Sequence, residues 1–238
     1  MKIKLTFSYD GSKFNGFQRQ NNERSVQKEI ETALSNIYNE KIEIKGAGRT
    51  DAKVHANNQV AHYEAKEKIK GLKVKLNALL NPDIYVKKIK YVSDDFHARK
   101  SVKKKEYIYK INLGAFQTSL NDYYYQPRFK LDISLMKDAS KVLIGTHNFE
   151  NFVSGKRDDY VTTIYEINFV KVFDKLEIRF IGAGFYRYMV RNLVGALLEV
   201  GKCKIKSDVI KDMLDNPNVK KTLPTAPAEG LYLNKIWY

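Results

Sequence analysis

Cysteine is nearly missing from this chain of 238 residues. Cys203 is the only one, which excludes an intrachain disulfide and any zinc site built on several cysteines. The four histidines, at 55, 62, 97 and 147, show no close ligand spacing. Metal dependence is therefore not expected, and carboxylate-held magnesium is the one case the composition leaves open. No apolar run approaches the roughly 20 residues that cross a bilayer. The opening Met1-Lys2-Ile3-Lys4-Leu5-Thr6-Phe7 alternates like a strand and has no signal-peptide apolar block. A cytoplasmic protein without membrane association is the expectation. There is also no Gly-x-x-x-x-Gly-Lys-[Ser/Thr] loop, no Gly-x-Ser-x-Gly elbow and no dinucleotide fingerprint. Nucleotide hydrolysis, serine esterase chemistry and nicotinamide redox chemistry thus lack their signatures.

What the chain does have is positive charge. Forty-two basic residues against twenty-seven acidic give a net charge of +15, which makes polyanions the natural partners. Lys100 with Lys103-Lys104-Lys105, Lys66-x-Lys68-x-Lys70 and Lys202-x-Lys204-x-Lys206 lie among tyrosines and phenylalanines, a mixture suited to phosphates and stacked bases. A Lys-rich surface serving only for solvation is the plain alternative. The nine arginines are more telling, because Arg49, Arg99, Arg187 and Arg191 fall in stretches singled out below.

Chemistry points first to residues 46–56, Gly46-Ala47-Gly48-Arg49-Thr50-Asp51-Ala52-Lys53-Val54-His55-Ala56. Two nearby glycines let the backbone take positive φ and approach a ligand, and they deliver a cation, a hydroxyl and a carboxylate within three positions. Arg49 can grip a phosphate while Asp51 works on the attached sugar. An ordinary surface loop with a local ion pair has the same composition, so the loop alone does not decide.

The periodicity predicts strands at 3–9, 58–65 and 84–92, a helix capped by Ser25 and a second through Leu72, Leu76 and Leu80. The second half reads as a strand at 105–113, a helix at 132–144, strands at 161–173 and 175–182, a long helix at 186–200 and a shorter one from Ser207. A Pro-rich linker at 222–227 and a strand at 231–237 follow. The expected fold class is α+β, with two ferredoxin-like (split β-α-β) halves, 1–100 and 101–238, whose antiparallel sheets flank a central active-site cleft.

Arg187 and Arg191 fall on one side of the 186–200 helix among apolar neighbours, where an arginine needs an anion. Asp51 and Glu199 both qualify for Arg191. Tyr107 and Tyr109 project from one strand face after a basic cluster, either as core residues or with one of them stacking on a displaced base. His55 and His97 receive no proton-transfer role.

With these pieces assembled, the sequence resembles the TruA family of tRNA pseudouridine synthases over nearly its whole length. The parts come in order: Tyr9-Asp10-Gly11 with Gly16 to Gln20, Gly48-Arg49-Thr50-Asp51-Ala52 with Val54-His55-Ala56, Phe96-His97-Ala98-Arg99, Lys105-x-Tyr107-x-Tyr109, Gly184-Phe185 with Met189-Val190-Arg191-Asn192, and Ala228-Glu229-Gly230-Leu231-Tyr232-Leu233. The resemblance implies Asp51 as catalytic aspartate, Arg191 as its ion-pair partner, Tyr107 as the residue stacking on the target uracil and Arg49 as an aid to displacing the nucleotide. Further substrate contacts fall on Thr50, His55, Arg99, Lys105 and Arg187. It also implies a cofactor-free homodimer acting on uridines 38 to 40 of the tRNA anticodon arm. The chain departs from the family pattern at Lys53, where glycine is usual, at Phe17, where tryptophan is usual, and over 154–163.

Overall fold

The computed structural model describes residues 1–217, 219 and 222–238. In chain order the elements are β1 (Lys2–Tyr9), α1 (Val26–Tyr38), β2 (Lys45–Gly46), β3 (His55–Glu64), α2 (Leu72–Leu79) and β4 (Ile84–Val92). Then come β5 (Lys104–Asn112), α3 (Ile133–Ser140), β6 (Gly145–Asn148), β7 (Val161–Val172), β8 (Lys175–Gly182), α4 (Met189–Gly201), α5 (Asp208–Asp215) and β9 (Leu231–Trp237). The fold is mixed α+β. Residues Met1–Lys103 with Tyr232–Tyr238 form one compact unit, and Lys104–Leu231 form the other.

In the first unit the strand order is β4-β1-β3, with β2 antiparallel on β3 and β9 parallel to it through His55↔Tyr232 and Ala56↔Leu233. That parallel pair departs from the all-antiparallel expectation. Alternation in β1 puts Ile3, Leu5 and Phe7 at full burial, and burying each is worth about 1.5–3 kcal/mol. Ile30 and Leu34 of α1 and Leu76 of α2 are equally buried. Asn77 ties α2 to β4, its side chain bonding both the N–H and the carbonyl of Val86 at 2.8 and 3.0 Å. The alternate residues of β1 pair across strands as Lys4↔His62 and Lys4↔Lys90. Near them Ala47, Val60 and Ala98 form a small core against Phe96, Val102, Ile236 and Tyr238.

Helix α1 begins where the periodicity predicts, but not through its predicted cap. Ser25 is fully buried and its hydroxyl makes no capping bond. The first N–H groups of α1 are instead met by backbone, Val26 N–H donating to Gly16 O and Gln27 N–H to Phe17 O, which satisfies the same orphan donors.

The second unit has an antiparallel sheet of order β5-β8-β7-β6. Tyr107↔Phe180, Tyr109↔Ile178 and Ile111↔Leu176 put one face of β5 against the core residues of β8. Helix α4 is buried along nearly its whole length. Asp132 caps α3 by accepting the Leu135 N–H at 3.0 Å, and Gly201 lets α4 approach Met136, whose Sδ would lie 2.7 Å from an added Cβ. The 222–227 stretch, expected as a linker, is a strap along α4. Ala226 N–H donates to Arg191 O, Thr225 Oγ1 to Asn192 Oδ1 at 2.7 Å, and a side chain at Gly195 would collide with the Pro224 carbonyl. No helix among the described residues is long and apolar enough to cross a membrane.

Candidate active site

Of the 46–56 stretch in the first unit, residues 47–54 are irregular but held from several sides, while His55 and Ala56 already belong to β3, which begins before the predicted 58. Strand β2 ends at Gly46, where an added Cβ would lie 2.6 Å from the buried ring of Phe17. Ala47 N–H donates to Val60 O at 2.8 Å, and the Gln59 amide donates to Gly48 O at 3.1 Å. Glu31, only 2% exposed, steadies the approach by accepting the Ile44 N–H at 2.9 Å and pairing with Arg19 at 2.6 Å. These are the partners a buried carboxylate requires.

Thr50 is buried. Its hydroxyl shares a 2.7 Å hydrogen bond with Tyr9, and its carbonyl accepts the Phe17 N–H at 3.1 Å. Burial pushes the Tyr9 phenol up to about 12, with the bonds to Thr50 and Gln59 acting the other way. The phenol therefore stays a protonated, neutral partner across the physiological range. Gly16, at φ +98°, would bring a Cβ to 2.9 Å from Thr50 O, and a side chain at Gly11 would collide with the Val54 carbonyl. Only glycine fits at either position. The loop and the 11–17 turn thus interlock, and Lys53 N–H donating to Phe14 O at 3.3 Å closes the contact.

On this support Arg49 is exposed and Asp51 half-buried. Lys53 is exposed with φ at +65°, a left-handed conformation that favours glycine. His55 is 2% exposed, its Nδ1 accepting the Gly11 N–H at 3.0 Å and its ring stacked on Tyr232 at 4.5 Å between centroids and 12° between planes. Arg99 is exposed on the 96–102 segment, its N–H donating to His97 Nδ1 at 3.1 Å. That segment and the loop share a core through Ala98 and Ala47.

The second unit carries Lys105, Tyr107, Arg187 and Arg191. Lys105 is half-buried opposite Gly182. Tyr107 is 8% exposed and meets Phe185 edge to face at 5.3 Å. Tyr109, two residues on, is fully buried, and its hydroxyl donates to Pro227 O at 2.9 Å. Burial raises its pKa well above the ordinary phenol value, Glu229 and Tyr125 adding to the rise and Arg191 opposing it. Helix α4 starts at Met189, later than the predicted 186, because Tyr188 adopts φ +61°. Arg187 consequently lies before the helix rather than on its side. Arg191 donates from Nε to Ala226 O at 2.8 Å. Glu199, the alternative acid for Arg191, is bridged by Lys202 at 2.7 Å.

Sequence reasoning gave no role to Tyr9, Gln59 or Tyr188. The signal available for Tyr9 was its place before Gly11 and Gly16; its partner Thr50 is 41 residues away. Among the described residues no three His, Cys, Asp or Glu side chains form a metal-holding group.

The family model for tRNA pseudouridine synthase matches residues 5–99 and 139–238. The tRNA pseudouridine synthase A of Anoxybacillus flavithermus is 42% identical over 242 residues, covering 100% of this chain and 98% of the relative. That of Bacillus subtilis is 40% identical over 245 residues, covering 100% and 99%. The solved archaeal box H/ACA sRNP Nop10-Cbf5 complex aligns at 14% identity and a TM-score of 0.39, over 82% of this chain and 43% of that one.

Proposed function

The chain belongs to the tRNA pseudouridine synthase family, and on that premise we propose that it isomerises uridines 38 to 40 of the tRNA anticodon arm with Asp51 as the catalytic carboxylate. The enzyme is an isomerase acting on uridine in RNA. The reaction breaks the N1–C1′ bond, turns the uracil and joins its C5 to C1′. The C5 proton leaves and N1 gains one, so nothing else is exchanged. An ionised carboxylate beside the sugar can stabilise a cationic C1′, attack it or take a neighbouring sugar proton, and each of these asks the same of Asp51.

The observation that carries the proposal is the support under Asp51. The Tyr9 hydroxyl and the Phe17 N–H fix Thr50 immediately before it, while Gln59 holds the Gly48 carbonyl, a preorganisation that catalysis rewards and a solvated loop does not need. Tyr107 serves as the ring that stacks on the uracil once the base leaves its stack, Arg191 as the counter-charge of Asp51, and Arg49, Arg99, Lys105 and Arg187 as cations for the RNA backbone. Thr50 and His55 shape the site from beneath the surface, in keeping with their burial. In this reading the chain forms two ferredoxin-like halves divided near residue 100, with 232–238 returning to the first, a view supported by the order β4-β1-β3-β2 in the first and β5-β8-β7-β6 in the second. The active form is a cytoplasmic homodimer.

Tritium release from tRNA labelled at uridine C5 tests the reading, because bond formation at C5 displaces that hydrogen. Release that disappears in Asp51→Asn, with tRNA binding retained, is the expected result. Release that persists in Asp51→Asn removes Asp51 from the mechanism, and release from ribosomal RNA alone overturns the substrate.

A further inference from the structure

Tyr188 has no part in the roles assigned above, yet its geometry is unusual. It is the residue before α4, with φ +61° and ψ −5°. For a bulky side chain that left-handed conformation is strained, and such strain persists where the surroundings over-determine it. Both neighbouring arginines use its ring. The Arg191 guanidinium lies 4.9 Å from the ring centroid and that of Arg187 lies 5.1 Å from it. Two guanidinium groups repel each other, whereas the ring's electron-rich face attracts both. Because the chain turns at 188, Arg187 comes to the ring from outside the helix while Arg191 comes from its first turn. The Tyr188 carbonyl also accepts the Asn192 N–H at 2.9 Å, one residue beyond Arg191.

Arg191 is held on a second side by Ala226, whose carbonyl accepts from Nε at 2.8 Å and whose N–H donates to the Arg191 carbonyl at 3.1 Å. The guanidinium also lies over the face of the Tyr188 ring, a contact from a different group that bears on how it can turn. We propose that Tyr188 is a positioning residue for the isomerisation, setting the plane of the Arg191 guanidinium and held in a strained backbone to do so. The proposal rests on the reading that Arg191 serves Asp51.

Two substitutions separate this from a merely structural role. Asparagine tolerates the left-handed conformation and removes the ring, so Tyr188→Asn is expected to unfold at the wild-type temperature or above. Its kcat for tritium release should nonetheless fall by about tenfold or more, with KM for tRNA within about threefold of wild type. Tyr188→Phe keeps the ring and should keep kcat. The Arg191 Nε–H resonance, identified by its loss in Arg191→Lys, supplies a readout independent of turnover. Its ring-current shift should vanish in Tyr188→Asn and survive in Tyr188→Phe. An unchanged resonance in Tyr188→Asn overturns the proposal, as does wild-type kcat in that variant once the shift is lost. If the wild-type protein releases no tritium from tRNA, the functional reading fails on its own, and the resonance still decides whether Tyr188 orients Arg191.

Discussion

Replacing Lys53 with glycine should stabilise the protein, although Lys53 sits in the same loop as Asp51, the carboxylate proposed to act in catalysis. At φ +65° a lysine pays for a left-handed backbone, a cost of roughly 1–2 kcal/mol for a residue with a Cβ. Glycine avoids that cost but loses about 0.5–1 kcal/mol more chain entropy on folding. The difference favours glycine by about 0–1.5 kcal/mol, with a centre of about 0.75. For a chain of this size that centre raises the thermal midpoint by about 1.5–3 °C. The Lys53 side chain is exposed, so little burial is lost, and its backbone bond to Phe14 O survives in either variant. Lys53→Ala is the control, because alanine keeps the strain and should stay within about 0.5 kcal/mol of wild type. Calorimetry on the three proteins without RNA decides the matter. If alanine stabilises as much as glycine, or glycine lowers the midpoint, the strain argument is refuted.

Tyr9→Phe removes the hydroxyl that bonds Thr50 at 2.7 Å and leaves Thr50 Oγ1 buried without it, a loss of about 1–3 kcal/mol. Urea unfolding should show that loss together with slower tritium release, and an unchanged urea midpoint would show that the bond does not support the loop. His62 should make the protein acid-sensitive. Its pKa is pushed down to about 4, first by burial and then by His97, Lys2 and Lys45, with Glu64 opposing. The unfolded chain takes up that proton near pH 6.5, so His62 withholds nothing from stability above about pH 6.5 and costs progressively more as the pH falls towards about 4. Urea midpoints between pH 7 and pH 4.5 should fall more steeply for wild type than for His62→Gln; parallel curves would place the acid sensitivity elsewhere.

β4, β8 and β9 begin and end where the sequence reading places them. In β8 burial alternates strictly, and a one-residue slip would move every apolar side chain to the wrong face. The short strands β2 and β6 had no such signal, since two and four residues cannot display a period. Ser25 misled because a good capping residue sits at the right place while the Gly16 and Phe17 carbonyls do the capping from a distant turn. The start of α4 was misplaced because apolar spacing runs through Tyr188, and only its backbone shows the break. In the loop, Gly48, Arg49 and Asp51 announced themselves by type. The burial of Thr50 and His55 did not, since it depends on Tyr9 and Tyr232, which lie far off in the chain.

The return of residues 232–238 to the first unit bears on how the protein is made. Synthesis runs from the N-terminus, and domains tend to fold as they emerge. Here the whole of 104–231 must be translated before β9 exists. Until then β3 lacks its parallel partner, His55 lacks the ring of Tyr232, and Lys103 N–H lacks the Trp237 carbonyl it donates to at 2.9 Å. The unit translated first is therefore the one completed last. A nascent chain stalled short of β9 holds Asp51 in a loop whose foundation is unfinished, because the His55 that follows it still lacks the ring of Tyr232.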